Sequence, residues 1–210
     1  MRLPPRSGDQ VRIGVAIRVP DPFGPALQAA RARIGDPLAW SIPPHVTLLG
    51  PTVVEPAALD GVSAHLDAVA AAASPFALHL RGTGSFRPVS PVVFVQVAEG
   101  IAQCERLERA VRSGPLKQKL RFNYHPHVTV AHEVDDDALD RAFRELAHYE
   151  ARFDVTAFHV YEHGDDGVWR PSREYRLGAR GTGSADGDVT RPAARDGVAR
   201  VPEARTVERA

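Results

Sequence analysis

Pro44-His45-Val46-Thr47-Leu48 and Pro126-His127-Val128-Thr129-Val130 are one phrase written twice, with their histidines 82 residues apart. In each copy a His and a Thr flank a β-branched Val. A strand has a side-chain period of two, so His and Thr share one face and Val takes the other. Two such strands facing across a groove would offer two imidazoles and two hydroxyls to one ligand. That set suits an anion that must be gripped, protonated and deprotonated. With nine His and eight Thr in 210 residues, chance yields about 0.3 His-x-Thr triplets over the whole chain. Matching Pro and aliphatic flanks make a coincidental pair rarer still.

Outward from the two copies, the chain alternates strands and helices. Val11 to Val19 reads as a strand ended by Pro20. Phe23, Ala26, Leu27, Ala30 and Ile34 form a helical stripe. Gly50-Pro51 is expected to end the first motif strand. A helix is expected over 55–73, a strand over 76–80, a turn at Gly84-Ser85-Phe86 before Arg87 and an apolar strand over 91–97. Ile101, Cys104, Leu107 and Val111 mark a helix. The second motif follows, then a helix opened by Asp135-Asp136-Asp137, acids well placed for its N-terminal dipole. Residues 153–161 and 168–177, joined by the turn Gly164-Asp165-Asp166-Gly167, read as a closing hairpin, its second strand bent at Pro171.

Residues 1–9 read as a loose lead-in and 10–178 as the folded domain. Residues 179–210 have no aromatic, Leu or Ile and read as a disordered tail, too poor in apolar surface to fold alone. Each half carries a His-x-Thr strand followed by a helix and further strands. The expected class is therefore α+β, a bilobal pseudo-two-fold duplication with the active groove between the lobes.

Composition excludes several functions. Apolar residues make up 43% and charged residues 25%, as in ordinary globular domains. Lys+Arg and Asp+Glu balance at 26 each. Tight nonspecific binding to long nucleic acid is therefore not expected, although a locally basic groove is compatible. Cys104, the single cysteine, allows no internal disulfide and no thiolate metal cluster. No run of 18 apolar residues and no apolar leader are present, so a cytoplasmic protein without a membrane anchor is expected. A monomer is expected too.

The doubled Pro-His-x-Thr-aliphatic phrase, at this spacing, resembles the 2H phosphoesterase superfamily. Trp40 upstream, Leu48-Leu49-Gly50 downstream and the helix leading to the second motif are similar to its bacterial 2′-5′ RNA ligase / RNA 2′,3′-cyclic phosphodiesterase (LigT-like) group. The resemblance covers most of the folded region. It implies a bilobal α+β fold with antiparallel sheets lining a central groove and helices outside. It also implies His45 and His127 as general acid and base, Thr47 and Thr129 as phosphate ligands, and no metal or other cofactor. By the same analogy His127 is the base that activates water, and the partner is a nucleotide or RNA end bearing a phosphodiester.

The chemistry is self-consistent without the resemblance. Opening a cyclic phosphodiester takes a proton from water and gives one to the leaving alkoxide. An imidazole with an ordinary pKa of ~6.5 can do either. One ring must be neutral and the other protonated, which predicts a bell-shaped pH–rate profile. Two Thr hydroxyls can donate to nonbridging oxygens where charge accumulates. Arg87, Tyr124 and Trp40 are further candidates for substrate contact. Phe122, Phe86 and Trp169 are candidate walls, though each aromatic alone is more often core. His125, His127 and His132 could chelate a metal, but the first motif offers no third ligand. His65, His79 and His148 fit surface positions, and His159 could face the groove. Two other functions fit the same residues: a noncatalytic nucleotide or RNA-end binding module, and a 2H esterase for a non-RNA cyclic phosphodiester.

Overall fold

Val46 and Val128 decide which way each motif strand faces. Both are fully buried, while His45, Thr47, His127 and Thr129 are half-exposed on the opposite face. The alternation expected of a strand is therefore the same in both copies. The structure, a computed structural model, describes residues 3–178. The tail expected at 179–210 lies outside the described residues.

Eight strands and four helices follow in order. They are β1 (Val11–Arg18), α1 (Phe23–Ile34), β2 (His45–Val54), α2 (Leu59–Ala72), β3 (Phe76–Ser85), β4 (Val92–Glu99), α3 (Ile101–Val111), β5 (His127–His132), α4 (Asp136–Glu145), β6 (Glu150–Val155), β7 (Ala157–His163) and β8 (Trp169–Arg176). They form two four-stranded sheets, β2-β1-β7-β8 and β5-β4-β3-β6. Every paired strand is antiparallel. The motif strands β2 and β5 are edge strands, and these two edges touch. A pseudo-two-fold relation maps β2 onto β5, β1 onto β4 and α1 onto α3. The fold is α+β, with the groove between two antiparallel sheets.

The two lobes are interlocked. α1 connects two strands of the first sheet but packs against β5 and α4, while α3 connects two strands of the second and packs against β2 and α2. One continuous apolar core runs through both lobes, from Val15 and Leu27 through Leu66 and Val95 to Val130 and Leu139. Because each helix is buried against the other lobe's motif strand, an isolated half would expose that apolar face.

Four expectations are corrected here. The strands after the first motif do not complete the first lobe, because β3 and β4 pair as neighbours in the second sheet and β7–β8 returns to the first. β2 does not stop at Gly50-Pro51 but runs to Val54. Leu49 pairs with Val15 and Thr52 with Ile13, so two residues stand opposite Gly14 alone, a bulge that an edge strand tolerates even with Pro. Gly84-Ser85 does not open a turn but ends β3, again past a register shift. The expected strand over 153–161 is two strands broken at Thr156, one in each sheet. Pro171 lies at a bulge on edge strand β8, where the expected bend falls. Asp135 caps α4, accepting from the Ala138 N–H at 2.7 Å.

Candidate active site

Each motif histidine is set by the residue two positions before it. His45 Nδ1 lies 2.8 Å from the Pro43 carbonyl oxygen, and His127 Nδ1 lies 2.7 Å from that of His125. A carbonyl only accepts, so both Nδ1 atoms carry the proton and both Nε2 atoms keep a lone pair. The Pro between carbonyl and imidazole gives the reason. It holds the preceding residue, Pro43 or His125, in extended backbone, which turns that carbonyl back toward the ring. The Pro-His pair in each motif was the visible signal for this contact.

The hydroxyls of Thr47 and Thr129 make no hydrogen bond to any described residue. They are half-exposed on the same face as the imidazoles, free to donate to an incoming anion.

Two ties hold the motifs together. Asp36, nine residues before His45, is buried. Its carboxylate accepts from Arg31 Nε at 2.8 Å, the Leu38 N–H at 2.8 Å and the His132 N–H at the end of β5 at 3.0 Å. Gln118, nine residues before His127, donates from Nε2 to the Thr52 hydroxyl on β2 at 3.0 Å. Tyr124 adds a bond from its hydroxyl to the Thr47 carbonyl at 3.0 Å. Each approach segment is thus bonded to the other lobe's motif strand. Asp36 carried no periodic signal in the sequence, since it stands in the loop after the helix.

The surroundings push both histidines toward the neutral form. His45 is lowered from 6.5 to about 4, chiefly by burial, then by the nearby charges of Arg31 and His127, with the Pro43 carbonyl opposing. His127 is lowered by burial and by His125, against its own carbonyl partner. His127 is among the charges that lower His45, so the second ring lies within electrostatic reach of the first.

The walls differ. On the first-motif side, Thr47 stands opposite Ala16 on β1, and Ala16 opposite His159 on β7. Gly14, Ala16, Ile42, Leu49, Tyr161 and Trp169 line a recess with His45 and Thr47. The Tyr161 hydroxyl is buried with no described partner. His159 shares the Thr47 face, with Nε2 3.3 Å from Glu174. On the second-motif side, Phe86 and Phe94 flank His127 with ring centroids at 4.9 and 5.0 Å. Phe94 stands opposite Thr129 and Gly84. A Cβ on Gly84 would come within 2.6 Å of the Phe94 ring, so only glycine fits there.

The other sequence candidates are placed as follows. Arg87 points its guanidinium at Asp140, at 2.6 Å, and at Asp136, at 3.5 Å, so a phosphate would have to compete with two carboxylates. Trp40 is exposed, as is Phe122. Trp169 is buried and lines the recess. Cys104 is buried, and its thiol is pushed up to about 12 by that burial. His79 is not a surface residue. It is buried between Glu150, at 2.9 Å, and Glu99, at 3.4 Å, because β3 is a central strand and both acids reach over it from the strands beside it. Among the described residues no group of three His, Cys, Asp or Glu side chains is arranged to hold a metal ion. No described helix is long and apolar enough to cross a membrane.

With this geometry in place, comparison with known proteins is informative. Residues 19–167 match the family model of the 2′-5′ RNA ligase superfamily. A Bacillus cereus (strain ATCC 10987 / NRS 248) protein called "Putative phosphoesterase" is 31% identical over 147 residues, covering 68% of this chain and 84% of that protein. A Bacillus thuringiensis (strain Al Hakam) protein of the same name is 30% identical over the same length and coverage. Among solved structures, Escherichia coli LigT complexed with NADP+ aligns with a TM-score of 0.63 at 20% identity, covering 81% of this chain and 100% of that one. LigT complexed with 3′-AMP aligns at 0.61 and 18% identity, covering 80% and 99%. At such identities these two structures establish a shared fold. The family match, spanning both motifs, establishes that this chain belongs to the 2′-5′ RNA ligase superfamily of 2H phosphoesterases.

Proposed function

We propose that this protein is a metal-independent phosphodiesterase that opens 2′,3′-cyclic phosphates, or cleaves 2′-5′ linkages, at nucleotide or RNA ends. The observation that carries this reading is the matched pair of imidazoles. Both are protonated on Nδ1 by the same backbone device, which leaves Nε2 of each as the proton acceptor, on two motif strands that touch. The substrate phosphate sits between them, gripped by the Thr47 and Thr129 hydroxyls on its nonbridging oxygens. One imidazole takes a proton from water as its oxygen attacks phosphorus. The other gives a proton to the departing ribose oxygen, and the ring opens. With a ribose 5′-hydroxyl in place of water as nucleophile, the same displacement breaks the bond to the 3′-oxygen and leaves a 2′-5′ linkage. By family analogy His127 is the base in hydrolysis and His45 the acid. The nucleotide complexes of LigT support a nucleotide as ligand here.

Because both rings are held neutral near pH 7, the acid must acquire its proton together with the substrate. A bound phosphate anion favours that protonation. The rate constant kcat/KM for the free protein should therefore rise as pH falls below 7 and pass through its maximum on the acidic side of the ordinary histidine value. The direct test is incubation with a 2′,3′-cyclic mononucleotide in excess EDTA, with the product identified. Ring opening to a 2′-phosphate supports the reading. Binding without turnover would favour a noncatalytic nucleotide-binding module, and indifference to nucleotides a different cyclic phosphodiester.

A further inference from the structure

The chain is neutral overall, yet residues 109–132 contain Arg109, Arg112, Lys117, Lys119 and Arg121 and not one Asp or Glu. Lys117 and Lys119 are the only lysines of the protein. The segment from Lys117 to Asn123 is exposed throughout, including Leu120 and Phe122. Its cations differ from most of those around the rest of the fold. Arg6, Arg31, Arg87, Arg112, Arg152, Arg170 and Arg173 each hold a carboxylate. Lys117, Lys119 and Arg121 pair with no carboxylate among the described residues. The Arg121 guanidinium instead lies over the exposed Phe122 ring, 5.1 Å from its centroid.

This strap is also held in place. Arg112 Nη1 donates to the Gln118 carbonyl at 2.9 Å, Gln118 donates to Thr52, and Tyr124 donates to the Thr47 carbonyl. It runs directly into His127. Arg121 is six residues from that histidine and so no more than about 21 Å away even in extended chain.

We infer that the strap from Lys117 to Phe122 is a binding surface for single-stranded RNA, holding the strand next to the end whose phosphate lies between His45 and His127. Unpaired cations repeated along an extended segment match a repeated phosphate charge, and an exposed Phe beside an Arg offers a base a face to stack on. A strand that spans both the strap and the histidines gains affinity over a mononucleotide held at the histidines alone. The placement of the reacting end rests on the phosphodiesterase reading, while binding by the strap does not.

Fluorescence anisotropy of a labelled single-stranded oligoribonucleotide ending in a 3′-phosphate separates the two. The wild type should bind it with strong salt dependence. The triple variant K117Q/K119Q/R121Q should weaken binding at least tenfold and lower the slope of log affinity against log salt by about 2, given ~0.7 per phosphate contact on single strands. Phe122→Ala should weaken it about tenfold through lost stacking. Turnover of a cyclic mononucleotide by the triple variant should equal that of wild type. No binding by wild type, or equal binding by wild type and triple variant, overturns the inference. So does inorganic polyphosphate competing as well as RNA while Phe122→Ala binds normally. Capture by phosphatidylserine vesicles without binding to the oligonucleotide would overturn it in favour of a membrane surface. Loss of mononucleotide turnover alone in the wild type would count against the phosphodiesterase reading and not against the strap.

Discussion

The two motif strands are alike in their reacting atoms and unlike in their surroundings. In β2 and β5 the Val is buried, the Thr hydroxyl is unpartnered, and the His Nδ1 bonds the carbonyl two residues back. Around His45 the cross-strand neighbours and the nearest charge are small or cationic. Ala16 lies opposite Thr47, Arg18 opposite His45, and Arg31 close enough to disfavour a charge on the ring. Around His127 they are aromatic and neutral, with Phe94 opposite Thr129 and Gln96 opposite His127. Duplication with later divergence explains the pattern. On the proposed function, acid–base work on one phosphate would need two equivalent donors and acceptors, whereas the groups on either side of that phosphate would differ and need different walls.

The ties between the lobes show the same divergence, and the largest prediction follows from them. Asp36 is buried with Arg31, while its positional counterpart Gln118 is exposed. Asp36→Ala leaves a buried guanidinium unpaired and should destabilise the fold by about 3–5 kcal/mol in denaturant unfolding. Equal stability of Asp36→Ala and wild type would break the comparison. Next, Thr47→Val and Thr129→Val keep the shape and remove a donor, and each should lower kcat by about 10²-fold. A marked inequality between the two would show that the phosphate is gripped from one side only.

The third prediction concerns pH. The folded value of His45, about 4, lies below its unfolded value of 6.5. Below pH 6.5 the unfolded chain binds a proton that the folded one refuses, so this histidine's contribution to stability is complete above 6.5 and is lost as pH falls toward 4. His45→Asn should flatten that part of the stability–pH curve, measured by urea unfolding at successive pH values. A curve unchanged by the substitution would contradict the shift. The smallest effect is expected from Gln118→Ala, whose exposed bond to Thr52 should be worth about 1 kcal/mol or less.

Much of this site could be read from the sequence because its signal is local. A period of two places His and Thr together, and the repeated phrase implies the groove. α1 and α3 follow the apolar stripes of Phe23–Ile34 and Ile101–Val111, as expected. The errors came where local pattern is blind to partners. Phe153 to Tyr161 reads as one β-rich run, and the only local mark of the passage between sheets at Thr156 is a change of parity, from Phe153 and Val155 to Phe158 and Val160. Glycines at 50 and 84 read as breaks in the strands, yet they serve a bulge and the space beside Phe94. His79 looked like a surface residue because its partners, Glu99 and Glu150, are brought to it only by the sheet. Asp36 and Phe94 shape the site through contacts 96 and 35 residues distant, to His132 and Thr129, which no window of sequence contains.

The central claim is that His45 and His127 act as one pair on one phosphate. The most direct measurement is a double-mutant cycle on hydrolysis of a 2′,3′-cyclic nucleotide in EDTA. His45→Ala and His127→Ala should each lower kcat by about 10³-fold, within the range for loss of a general acid or base. The double variant should be little worse than either single one, because half of a coupled pair does no better than none. Fully multiplicative losses, or a variant of either histidine that keeps wild-type turnover, would contradict the claim.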